Sequence, residues 1–147
     1  MMRTFFKLLV LVIILNVIRY VAGFPIEAWL FFDGMGGAME RSSSYFNFSF
    51  TAFDWATSYF YNFVMWFVCV WVFHLVRPAV TGHSVVKSLK VFGILFLFFA
   101  SVSAIYMNHY SHPKDFYFYS IADASVVFAL VGLANGLLYK YFFKNEG

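Results

Sequence analysis

The sequence predicts an all-α integral membrane protein, a four-helix transmembrane bundle with a long aromatic outer loop between its first two helices. Three observations carry that expectation. The 147 residues are 63% hydrophobic and only 12% charged, against roughly 45–50% and about 25% in ordinary soluble domains. A soluble domain this small leaves a large share of its surface in water, so these side chains need lipid as their solvent. Four successive runs reach the roughly 20 apolar residues that a spanning helix requires, and lysine and arginine gather at their ends. The length allows one domain.

The first run covers about residues 5–24 and carries Arg19 in its last third. At a rise of about 1.5 Å per residue, Arg19 lies about 7 Å inside a boundary at Phe24, within snorkelling reach of the headgroups. The same stretch has the three regions of a signal peptide: Arg3 and Lys7, then LLVLVIIL, then the more polar NVIRYVAG. Val21 and Gly23 stand as small residues before a cut. The apolar run nevertheless continues to Phe24, and Pro25 follows closely, so both readings stay open.

The outer loop, residues 25–56, is as long as a helix with its turns and is rich in aromatic residues. FDGMGG has the glycines of an irregular turn, and Tyr45 to Trp55 alternates phenylalanine with polar residues in a strand-like period. Phe46, Phe50 and Phe53 also sit at helical spacing, and either geometry gives an amphipathic segment for the lipid–water boundary. Asn47-Phe48-Ser49 matches a glycosylation sequon.

The second run, about residues 57–76, contains the single cysteine, Cys69. One cysteine excludes an internal disulfide, and inside an apolar run it acts as a small hydrophobe. Pro78 and Gly82 end this run and turn the chain, making the second and third helices antiparallel neighbours. The third run, about residues 88–107, offers Gly93, Ala100, Ser101 and Ala104 as small residues. The short NHYSHPKDF connection makes the third and fourth helices neighbours. The fourth run, about residues 117–139, carries Ser125, Ala129, Gly132 and Gly136 at steps that keep them on one face. In lipid such a stripe marks a helix-packing face, against the third helix, a second copy or a larger complex. Asn135 beside it can bond across helices.

Orientation follows from the basic residues. Arg3, Lys7, Arg77, Lys87, Lys90, Lys140 and Lys144 fall on one side, and only Arg41 and Lys114 on the other. The positive-inside rule then puts both termini in the cytoplasm, in a plasma membrane or a bacterial inner membrane. The net charge of +3 comes from residues at the ends of apolar runs and not from a phosphate-tracking stripe. No nucleic-acid partner is expected, and membrane lipid is.

Two polar sets are candidate sites. Asp123 on the fourth helix lies about 9 Å below the same surface as Arg19, by the same helical rise. Intramembrane charges usually face the bundle interior and pair. The expectation is an Arg19–Asp123 ion pair, with Asn16 adding a hydrogen bond and the loss of either charge lowering stability. His109, His112 and Asp115 form a weak candidate zinc set in one outer loop, although Pro113 interrupts the helix that would align them and no HExxH is present. His74, near Arg77, is expected to cap carbonyls or meet headgroups. No Walker loop, GxSxG or dinucleotide fingerprint occurs, and no cofactor is expected. Three functional classes fit this inventory. A structural or accessory membrane protein, possible subunit of a larger complex or homo-oligomer, is favoured over an enzyme. The alternatives are a small transporter or channel using Arg19 and Asp123, and a membrane-embedded enzyme with a His109/His112 site on the outer face.

Overall fold

The computed structural model describes residues 2–109 and 113–144, and among them it is helical with no strand. Four long helices form the bundle: α1, Met2–Arg41; α2, Ala52–Val76; α3, Ser84–His109; and α4, Lys114–Phe142. All four are long and apolar enough to cross a membrane. Single turns at Ser43–Tyr45 and Arg77–Ala79 punctuate the connections.

The first helix departs most from the sequence expectation. It runs for 40 residues, about 60 Å at the α-helical rise, and takes in Pro25 and FDGMGG, which the sequence placed in a loop. Two π turns, Arg19–Gly23 and Ala28–Phe32, widen it. In the first, the amide of Phe24 donates to the carbonyl of Arg19, five residues back. Proline breaks a helix by losing a donor and by striking the carbonyl four residues before it. Here that carbonyl belongs to Val21, inside the widened turn, where the chain has room for the ring.

Helix α1 survives its glycines because it lies along α4. Lys7 Nζ sits 5.0 Å over the ring of Phe143. Farther along, a Cβ at Gly23 would meet Leu130 at 3.2 Å, and one at Gly34 would overlap the ring of Tyr119. At the far end Arg41 pairs with Asp115. These four contacts set an antiparallel register over the whole of α4. Glycine costs about 1 kcal/mol per residue in a helix interior, and at Gly34 the close approach of Tyr119 offsets that cost. The expected strand-like alternation at Tyr45 to Trp55 forms no strand: the segment is a turn, then extended chain, then the start of α2.

Helix α2 begins five residues before the expected Thr57. Thr51 and Asp54 form a capping box: the Thr51 amide donates to the Asp54 carboxylate at 2.8 Å, and the Asp54 amide to the Thr51 hydroxyl at 3.3 Å. Two of the orphan amides at the helix start are thereby satisfied. The turn between α2 and α3 uses Pro78 and Gly82, whose φ of +116° is open to glycine.

The closest approach is between α3 and α4. A Cβ at Gly136 would lie 2.5 Å from the Cα of Val85, and one at Gly132 3.0 Å from the Cβ of Phe92. The Ser88 hydroxyl donates to the Gly132 carbonyl at 2.7 Å, and the Asn135 amide donates to Ser88 Oγ at 2.9 Å. Around this seam the core gathers Leu11, Val12 and Leu15 of α1 with Trp66, Val70 and Phe73 of α2. Trp66 stacks on Phe92 and leans on Phe128, and its indole N–H donates to Asn62 at 3.0 Å. The outward surface is apolar and aromatic, with Trp29 84% and Phe98 71% exposed.

Candidate functional site

The buried charges converge midway along α1 and α4, beside the first turns of α2. Arg19 Nη2 donates to Glu27 Oε2 at 2.9 Å, with the two side chains only 15% and 3% exposed. Eight residues of ordinary α-helix overshoot two turns by about 80°. The π turn at Arg19–Gly23 takes up one residue, so Glu27 lies nearly above Arg19, two turns on. Gly23 lies between them, where a Cβ would come within 3.2 Å of Glu27 Oε1. The missing side chain at Gly23 is the space in which the carboxylate sits.

The Arg19 guanidinium also covers the Tyr20 ring at 4.6 Å, and that ring meets Tyr59 of α2 edge-on at 5.6 Å. Asp123 of α4 lies close enough for its carboxylate to act electrostatically on Glu27 and to be acted on by Arg19. The cluster therefore holds one formal cation and two carboxyl groups. Three of its buried atoms, Arg19 Nε, Glu27 Oε1 and Asp123 Oδ1, have no hydrogen-bond partner. Beside it a cleft of about 350 Å³ opens between α1 and α2, with Trp55, Ser58 and Asn62 on its far wall.

Several expected site residues take other places. Arg19 ion-pairs with Glu27 and not with Asp123. The contacts of Gly23 with Leu130 and of Gly34 with Tyr119 put Asp123 opposite the Ala28–Phe32 turn. That level lies about one turn beyond Glu27, which takes the Arg19 guanidinium first. Depths counted separately on two helices do not supply the register between them. Asn16 adds nothing to the pair, since its amide donates to the Val12 carbonyl of its own helix at 2.9 Å.

On α4, Gly132 and Gly136 face α3, the Ser125 hydroxyl donates to Ala122 of its own helix, and Ala129 is exposed. His109 is exposed at the end of α3, Asp115 pairs with Arg41, and His112 lies outside the described residues. Among the described residues no group of three or more His, Cys, Asp and Glu side chains is placed to hold a metal. His74 bonds to the Tyr139 hydroxyl, tying α2 to α4.

What sequence reasoning missed is Glu27 as the partner of Arg19. It follows Pro25, which reads as a helix stop, and no periodic signal joins it to Arg19 until the π turn is counted. Comparison with protein-family models, with curated protein sequences and with solved structures gives no match to this chain.

Proposed function

We propose that the chain is a multi-pass integral membrane protein of structural or accessory type, serving as a subunit of a larger membrane complex. The observation that carries this reading is the seal across the bundle. Leu11, Leu15, Trp66, Val70, Phe92 and Val131, all with 1% exposure or less, fill the bundle interior at the level of the Arg19 cluster and on toward Leu8 and Phe73. A pathway for ions or solutes needs polar or hydrated groups through that section. The Ser88–Asn135 contact is buried within the α3–α4 seam and opens to neither end. The surroundings meet a wall of apolar side chains, which recognises lipid and other helices by packing.

Orientation is part of the proposal. Arg77, Lys87, Lys140 and Lys144 gather at the end that holds the termini, which supports a cytoplasmic location for that end in a plasma or bacterial inner membrane. The test is purification of the full chain from its native membrane in mild detergent, followed by reconstitution of the chain alone into vesicles. The expected result is a fixed-stoichiometry membrane-protein partner through size exclusion, with no ion or proton flux above that of empty vesicles. A partnerless chain would overturn the subunit reading. Flux abolished by Glu27→Gln would put a transporter in its place.

A further inference from the structure

The Arg19–Glu27 cluster stands at the head of a longer furrow between α1 and α2. Tyr20, Phe24 and Phe32 of α1 and Trp55 and Tyr59 of α2 wall the cleft around it. Beside the cleft, an apolar groove of about 610 Å³ runs between the same two helices, lined by Ile13, Val17, Val21, Phe60 and Phe63. Tyr20 and Tyr59 line both spaces, so the cleft and the groove adjoin. The groove lies on the termini side, at residues 13–21 against 19–32 on α1 and 59–63 against 55–62 on α2. Val17 and Phe60 are exposed, and through them the groove opens on the outer surface of the bundle.

The charge of the cluster sets what can enter. Glu27 and Asp123 bring two carboxyl groups against the single guanidinium of Arg19. An anionic ligand would add to that excess, whereas a zwitterion presents its cation to the carboxyl groups without adding to it. Hydrogen-bonding capacity then selects the kind of cation. A carboxylate has about four acceptor sites, and on Glu27 the bond from Arg19 fills one. Glu27 lines the cleft with a side chain only 3% exposed, and its Oε1 has no partner. A primary ammonium brings three N–H donors to such an acceptor, and a trimethylated one brings none. The aromatic walls favour a cation through their electron-rich ring faces. Arg19 Nε, also buried and unpartnered, is a donor left for an anionic oxygen nearby.

We propose that this furrow binds phosphatidylethanolamine, with its ammonium on Glu27, its phosphate on Arg19 and an acyl chain in the groove. The proposal rests on the membrane reading above and gives the buried cluster a ligand. A lipid in the leaflet away from the termini points its chains toward the termini, which is the order of cleft and groove along both helices.

The test uses the full chain in detergent, with phosphatidylethanolamine, phosphatidylcholine, phosphatidylglycerol and free phosphoethanolamine as probes. Lipid retention is read by native mass spectrometry and thermal stability by tryptophan fluorescence. Phosphatidylethanolamine is expected to be retained as a single adduct, at least about tenfold better than phosphatidylcholine, through the charge-assisted hydrogen bond that only the primary ammonium makes. It should raise the melting temperature, and phosphatidylglycerol should not. Glu27→Gln should bring phosphatidylethanolamine and phosphatidylcholine to equal retention. Ser58→Trp fills the cleft from an exposed position and leaves the ion pair untouched. It should lose the adduct while melting, without lipid, as the unaltered chain does, and it decides the matter if Glu27→Gln fails to fold. Ser101→Trp, the same change at an exposed serine of α3, should keep the adduct. Equal retention of phosphatidylethanolamine and phosphatidylcholine by the unaltered chain, tighter retention of phosphatidylglycerol, or an adduct that survives Ser58→Trp overturns the site. Stabilisation by phosphoethanolamine without lipid retention overturns lipid as the source. A chain that stays dissolved without detergent overturns the membrane reading itself, and that result is distinct from the others.

Discussion

Helix α4 is held on two sides in opposite ways. Against α3 it offers glycines, and the central polar groups of the seam answer one another: Ser88 donates to Gly132 and accepts from Asn135, while Asn135 Oδ1 and Ser84 Oγ are unpartnered. Against α1 it offers Asp123 to a buried ion pair that leaves three polar atoms unanswered, and a cleft opens alongside. The first seam gains from close packing and short polar contacts. The second sets strong charge attraction against incomplete hydrogen bonding, and buried ion pairs contribute little net stability while being costly to break. A polar group inside an apolar bundle is therefore stabilising only when its neighbours complete it.

The largest effect should come from breaking the ion pair on one side. Glu27→Ala leaves the Arg19 guanidinium buried without its carboxylate, with an expected loss of about 3–5 kcal/mol. Unfolding of detergent-solubilised protein measures it. The double substitution Arg19→Met/Glu27→Leu should recover most of that loss, and failure to recover would show the pair to be net stabilising.

Next comes the glycine seam. Gly136→Ala pushes a methyl group into the α3 backbone at Val85, an overpacking change of about 1–3 kcal/mol. The same unfolding measurement reads it, and a neutral result would mean that α3 and α4 separate easily. Ser88→Ala strands the Asn135 amide and should cost about 1–2 kcal/mol. If instead it proves neutral, the seam is held by packing alone.

The smallest effect is expected at Asp123→Asn. The substitution removes a charge beside Glu27 and leaves in place a group whose Oδ1 already lacks a partner. The change should stay within about 0.5 kcal/mol, the range of a substitution that removes no cap, cavity or pair. A loss comparable to that of Glu27→Ala would make Asp123 the principal partner of Arg19 and reverse the comparison.

The helices were legible in the sequence in proportion to how local their signals are. Runs 57–76, 88–107 and 117–139 lie inside α2, α3 and α4, because hydrophobicity adds up residue by residue along a chain. Their starts came out late: Thr51-Ala-Phe-Asp carries a capping box with aspartate in the place where glutamate is usual, and Ser84 precedes the apolar residues of α3. The extension of α1 through Pro25 was not legible, since a π turn has no composition of its own. The Glu27 partner of Arg19 was hidden for the same reason. Asn135 was recognisable as a residue able to bond across helices, but Ser88, its partner, was marked by nothing except position.

By itself the sequence determined that four apolar helices form and which ends collect positive charge, because both depend on sums over local residues. Tertiary structure alone decided how the polar side chains pair. Ion pairs and hydrogen bonds require ångström-level placement, and that placement comes from helix register, widened turns and glycine contacts that no single segment contains.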